Sequence, residues 1–147
     1  MQSRQRRFPA GAAALVVVAA ALVPGCSQGK REGPLYRIEA PVVEVGPGAG
    51  AAAKIRFLPA PGFHWNTKFP AAFRVESSGG LKAERERYQA SSGDFKVESG
   101  QAELEVPVKP AGPGKYVLEG KADFSVCNDK ECHIFKGIRV EVPVHVR

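Results

Sequence analysis

Apolar and polar side chains alternate with a period of two along most of this chain after Pro34. Leu104, Val106 and Val108 interleave with Glu103, Glu105 and Pro107; Ile138, Val140, Val142, Val144 and Val146 form the cleanest run. Tyr116, Leu118, Gly120, Ala122, Phe124 and Val126 alternate mostly with charged residues. Such a pattern predicts half-buried antiparallel strands with one face on a core and one in water. Further strands are predicted near 36–45, 53–58, 72–76 and 81–87. Turn signals separate them at Gly46-Pro47-Gly48, Pro59-Ala60-Pro61-Gly62, Ser77-Ser78-Gly79-Gly80 and Pro110-Ala111-Gly112-Pro113-Gly114. No stretch has the period of an amphipathic helix. About seven short strands at this spacing predict an all-β, immunoglobulin-like antiparallel sandwich. Pro107 and Pro143 fall on the outward parity of their strands, where a sheet edge tolerates a missing N–H.

One parity conflict carries information. If Cys127 and Cys132 close a hairpin, Phe124 pairs with Phe135 and both point inward, yet Ile138 and its successors are inward too. One inserted residue resolves this, and Gly137 is the expected site of a β-bulge. Both cysteines then fall on the outward face near the hairpin tip.

The first residues set the compartment. Arg4, Arg6 and Arg7 precede an apolar run from Ala12 to Val23 and then Pro24-Gly25-Cys26. A basic start, a short apolar segment and small residues make an export signal, too short for a membrane-spanning helix. Leu22-Val23-Pro24-Gly25-Cys26 also resembles a bacterial lipobox, which makes Cys26 the expected lipidated first residue of the mature chain. The expected organisation is a signal peptide over 1–25, a lipidated flexible tether over 26–34 and one domain over 35–147. Removing the leader takes three arginines and no acid, so the formal charge of +6 falls to +3. No basic run with interleaved aromatics marks a nucleic-acid face, and no nucleic acid is expected as a partner. The expected address is the bacterial cell envelope, facing the periplasm, with Ser27 after the lipidated cysteine pointing to the outer membrane.

With Cys26 assigned to the anchor, Cys127 and Cys132 are the mature chain's thiol pair. A disulfide between them closes a very short loop, worth roughly 2 kcal/mol on the chain-entropy model. A bond that stabilises so little fits exchange chemistry better than stapling. Lys130 and a protonated His133 would favour a thiolate, while Asp129 and Glu131 oppose it. Cys127 is the expected partner-bonding residue and Cys132 the resolving one, an order that His133 would reverse. A static hairpin crosslink in a non-catalytic adhesion or assembly lipoprotein is the alternative. A copper or zinc site built on Cys127, Cys132 and His133, with His64, matches neither a zinc knuckle nor a ribbon spacing; no metal and no cofactor is expected. His64 and His145 read as ordinary strand residues, Trp65 as core packing, and Arg85-Glu86-Arg87 as a solvated strand face.

The string Phe124-Ser125-Val126-Cys127-Asn128-Asp129-Lys130-Glu131-Cys132, followed by Val140-Glu141-Val142-Pro143-Val144, resembles the N-terminal periplasmic domain family of the thiol:disulfide interchange protein DsbD. Pro61-Gly62-Phe63-His64-Trp65-Asn66-Thr67-Lys68 and Ser92-Gly93-Asp94-Phe95-Lys96-Val97-Glu98-Ser99-Gly100 resemble its early aromatic segment and its cap-loop region. The resemblance spans 35–147. It implies an immunoglobulin-like sandwich whose hairpin cysteines, here Cys127 and Cys132, exchange with thioredoxin-like partners and take electrons from a membrane-embedded one. It also implies that Phe95 is the cap aromatic shielding the pair, where the residues alone equally allow a core phenylalanine entering the next strand. Asp94 is a candidate tuner of the thiol pKa, against a plain solvated loop carboxylate. The chain departs from the family after Cys132, where His133-Ile134-Phe135 stands in place of an aromatic or leucine and two prolines.

Overall fold

The computed structural model describes residues 33–77 and 79–147. Among the described residues eleven strands follow one another: β1 Tyr36–Glu39, β2 Val43–Val45, β3 Ala51–Pro59, β4 His64–Trp65, β5 Ala72–Ser77, β6 Leu81–Ala83, β7 Arg87–Gln89, β8 Phe95–Glu98, β9 Gln101–Pro110, β10 Gly114–Cys127 and β11 Cys132–Val146. A single 3₁₀ turn at Ala90–Ser92 joins β7 to β8. Among the described residues no helix is long and apolar enough to cross a membrane.

The strands form two sheets. One runs β1-β3-β9-β6, with β8 also paired to β9; the other runs β2-β11-β10-β5-β7, with β4 also paired to β10. Pairing is antiparallel apart from β2, which joins β11 in parallel through Val144–Val146. The domain is therefore an all-β sandwich of immunoglobulin-like type. Two segments that alternation reads as single strands are divided. The run 36–45 breaks at Ala40-Pro41-Val42, so that β1 lies in one sheet and β2 in the other. The run 81–87 divides in the same way into β6 and β7. Pro107 sits in β9 opposite Ala52, and its carbonyl accepts the Glu84 N–H at 3.0 Å just past the end of β6. Its missing N–H thus faces the side on which β6 has ended.

The inner faces of the sheets supply the core. Ile55, Phe57, Leu104, Val106 and Val108 come from one sheet, and Phe73, Leu118, Ala122, Phe124, Val126, Val142 and Val144 from the other, all essentially removed from water. At one end this core is aromatic. Trp65 stacks on Phe124 with ring centroids 5.6 Å apart and planes 9° apart, and Phe57, Tyr36 and Phe135 pack around Phe124 at 4.9–5.3 Å. Offset ring pairs of this kind add to plain area burial and fix side-chain geometry. This aromatic end lies beneath the β10–β11 hairpin.

β10 and β11 form the longest ladder. Pairing runs from Gly114↔Val146 to Ala122↔Ile138, skips, and resumes from Phe124↔Phe135 to Cys127↔Cys132. Lys136 and Gly137 therefore oppose the single residue Asp123, the bulge that strand parity requires. Gly137 has φ +65°, a conformation costly for a residue with a Cβ, and its N–H donates to Asp123 Oδ1 at 2.8 Å. Phe135 and Ile138 both pack on the core as a result.

Candidate functional site

Local sequence builds the hairpin tip. Asn128 Oδ1 accepts the N–H groups of Lys130 at 2.9 Å and Glu131 at 2.8 Å, and the Asn128 N–H donates to the Glu131 carbonyl at 2.9 Å. This Asx-type turn brings Cys127 and Cys132 face to face at the last ladder position. They are disulfide-bonded, with S–S 2.06 Å and Cα–Cα 4.0 Å.

The two sulfurs differ in surroundings. Cys127 is 6% exposed, whereas Cys132 is exposed. Cys127 is covered because β4 docks on its other side: His64 is its ladder partner there, and Trp65 is that of Val126. Asn66 clamps β4 in place. Its N–H donates to the Ser125 carbonyl at 2.9 Å and its Nδ2 to Ser125 Oγ at 3.3 Å. Ser125 is the one fully buried polar side chain among the described residues, and this bond satisfies it. Cys132 is thus the solvent-open sulfur of the pair and Cys127 the covered one. Burial of Cys127 by a two-residue strand could not be seen in the sequence, where Cys127 is the expected partner-bonding residue.

The other candidate residues divide by ladder parity. His64 shares the outward face with Cys127 and Cys132 and is exposed. His133 is opposite Val126, which points inward, so it lies on the other face from the disulfide. Its ring packs at 5.9 Å against Phe63. Its Nε2 is shut off from water 3.0 Å from Glu131 Oε1, yet is not aligned for a hydrogen bond. A groove of about 640 Å³ opens here between Pro34, Leu35, Phe63, Asn128 and His133. Lys130 is exposed on the turn and joins the site through its backbone only.

Phe95 opens β8, is 8% exposed, and stacks on Trp65 at 5.5 Å. Opposite Leu104 in the ladder, it packs into the core aromatic cluster. Asp94 is not a free loop carboxylate. It bonds Arg85 at 2.6 and 3.2 Å and accepts the Gln89 N–H at 2.7 Å. The Arg85 guanidinium, aided by that N–H, holds its carboxyl below the ordinary carboxylate range despite partial burial. Its polar capacity is thus spent on fixing the β7–β8 corner. Cys26 lies outside the described residues.

No group of three or more His, Cys, Asp or Glu side chains among the described residues is placed to hold a metal ion. His133, the nearest histidine in sequence, faces away from the sulfurs. Two residues gain a place beside the sulfurs that the sequence did not give them. His64, read there as an ordinary strand residue, is the ladder partner of Cys127; Ile134, two residues after Cys132, shares its outward face and is exposed.

No family model matches the chain, and no curated protein matches it. Among solved structures it is similar to WR4, a member of the MSP family of C. elegans, at 11% identity and TM-score 0.42, covering 78% of this chain and 100% of that one. It is similar to AggA, the major subunit of aggregative adherence fimbriae type I of Escherichia coli, at 14% identity and TM-score 0.38, covering 76% and 94%. It is also similar to PapD-like domain 7 of human CEP192, at 12% identity and TM-score 0.36, covering 84% and 98%. At these values the neighbours carry no argument about activity, and the architecture rests on the strand pairing described above.

Proposed function

We propose that this is a DsbD N-terminal-like thiol–disulfide exchange domain, relaying reducing equivalents to or from thioredoxin-like proteins through Cys127 and Cys132, and tethered to the cell envelope on its periplasmic side by a lipid on Cys26. One observation carries the reading. The disulfide joins strands that the β10–β11 ladder and the Asn128 turn already hold together. Breaking it leaves the hairpin in register, so the bond can open and close without unfolding the domain. A crosslink over so short a loop contributes only about 2 kcal/mol, far from what a staple across distant segments supplies.

The chemistry follows the exposure of the sulfurs. A partner thiolate attacks Cys132 Sγ; the new S–S bond forms as the Cys127–Cys132 bond breaks, and the electron pair leaves on Cys127 as thiolate, which takes a proton. A second partner thiolate then attacks the partner's own sulfur and releases Cys132. Two electrons pass to the domain while the partner dithiol becomes a disulfide. In reverse, the Cys132 thiolate attacks a partner disulfide and Cys127 resolves the mixed species.

The burial of Cys127 favours a second reading, a static hairpin crosslink in a non-catalytic lipoprotein. Trapping separates the two. With a thioredoxin whose resolving cysteine is replaced by serine, preactivated as a mixed disulfide with a small aromatic thiol, Cys127→Ser should accumulate a protein–protein mixed disulfide at least ~10-fold faster than Cys132→Ser, because access governs attack. Failure of both variants to trap overturns the exchange reading and leaves the crosslink.

A further inference from the structure

The free edge of β11 beside the disulfide extends the exchange reading, on which it rests, to the way a partner is held. The Asn128 N–H donates to the Glu131 carbonyl at 2.9 Å, which makes 128/131 a hydrogen-bonded pair. Antiparallel pairs alternate, so 127/132 is non-bonded, 126/133 bonded and 125/134 non-bonded. The 4.0 Å Cα separation of Cys127 and Cys132 agrees with the closer, non-bonded class. In non-bonded positions the backbone N–H and C=O point away from the partner strand. Cys132 and Ile134 therefore direct their four backbone groups away from β10, to the open side of β11. That side is paired only by β2, at Val144–Val146, and no other hydrogen bond among the described residues takes these groups.

Ile134 adds a second feature. It is 58% exposed, the most exposed large apolar side chain among the described residues, and it stands on the same face as the sulfurs. Two residues further on, the bulge at Lys136–Gly137 interrupts the strand. The usable edge is thus one short segment that starts at the reactive cysteine. Bulges commonly protect edges from indiscriminate pairing, and this one restricts pairing to the redox end.

The geometry points to strand addition: an extended segment of the thiol-bearing partner protein pairs with Cys132 and Ile134 along the free edge of β11, and this pairing delivers the partner sulfur to Cys132. Continuity with the exchange site selects that occupant over any other chain, since one of the two pairing residues is the cysteine under attack. A residue directly opposite Cys132 on an added strand has its Cβ about 4.5–5.5 Å away, close to the reach of a disulfide. Displacement at sulfur also needs the incoming and leaving sulfurs in line. Cys127, the leaving sulfur, lies on the β10 side of Cys132, so the in-line approach comes from the opposite side, which is the free edge. Main-chain bonds would supply affinity and the Ile134 contact selectivity, the division of labour of β-strand addition.

Proline at 134 tests this, because the N–H it removes points off the edge and serves no bond to β10. Reduction of the wild-type disulfide by reduced thioredoxin and by dithiothreitol is compared with that of Ile134→Pro. Ile134→Pro should lose at least ~10-fold in rate with thioredoxin while staying within about 2-fold with dithiothreitol, since only the protein can add a strand. Equal thioredoxin rates in wild type and variant overturn the edge inference alone; a wild type that thioredoxin reduces no faster than dithiothreitol does at equal concentration overturns the exchange reading itself. Independently of how the proline variant folds, the amides of Cys132 and Ile134 should exchange at least ~10-fold more slowly in a mixed disulfide of Cys127→Ser with thioredoxin than in free Cys127→Ser, as expected of amides drawn into a sheet. Unchanged exchange at both overturns strand addition.

Discussion

Asp123 shows how one side chain makes an irregular backbone permanent. Partial burial works against its ionisation, but the Gly137 N–H, the Arg74 guanidinium and Lys136 outweigh this and hold its carboxyl below the ordinary range. Arg74 Nη1 lies 2.9 Å from Asp123 Oδ2. Asp123→Ala should cost about 1–2 kcal/mol by leaving the Gly137 N–H without its acceptor, and Gly137→Ala a similar amount through the left-handed backbone alone. Denaturant midpoints of the two variants check both, with the double variant losing less than their sum because they share one feature. Asp94 has its carboxyl lowered in the same direction by Arg85. For such groups the stabilisation is complete above the unfolded carboxylate pKa near 4 and is lost as pH falls through the lower folded value. Thermal unfolding from pH 7 to pH 2 should therefore show Asp94→Asn less stable than wild type at neutral pH, with the gap closing only below about pH 4. At this scale the sequence was legible where parity spoke: it located the bulge at Gly137 and put both cysteines outward. It was silent on which sulfur is covered, because a two-residue strand from another part of the chain decides that.

At the level of elements, β5 and β10 leave no room for a side chain at Gly120. A Cβ at Gly120 would lie 2.6 Å from the Arg74 carbonyl and 2.3 Å from the Phe73 ring. Neither can withdraw: one is backbone and the other is fully buried. Gly120→Ala should therefore destabilise the domain by about 3 kcal/mol, at the high end of overpacking costs, read as a shifted urea midpoint with unchanged slope. The β10–β11 hairpin should behave in the opposite way. Replacing both Cys127 and Cys132 by serine should cost no more than about 2 kcal/mol and leave the amides of 124–126 protected, because the ladder and the Asn128 turn remain. Long strands such as β9, β10 and β11 were legible from alternation. The divisions at 40–42 and 84–86 were not, since a chain crossing between sheets keeps its period-two pattern while changing its partners.

Across the whole molecule, the aromatic cluster of Phe57, Trp65, Phe95, Phe124 and Phe135 makes one end of the sandwich a rigid platform, and the disulfide hairpin stands on it. All-β class and sandwich architecture could be read from composition and spacing. A cap role for Phe95 is what the family resemblance implies; the packing seen here places its ring in the platform, against Trp65 and Phe57. A rigid base under two preorganised sulfurs suits a bond that opens without structural change. On the proposed function this bond is an exchanging one. Redox equilibration of the purified domain against glutathione buffers is the decisive measurement, followed simultaneously by thiol labelling and far-ultraviolet circular dichroism. An exchanging bond gives a reduction potential less reducing than about −300 mV with an unchanged β spectrum in the dithiol form. A potential below about −300 mV, or loss of the β spectrum on reduction, would mean that the bond is structural.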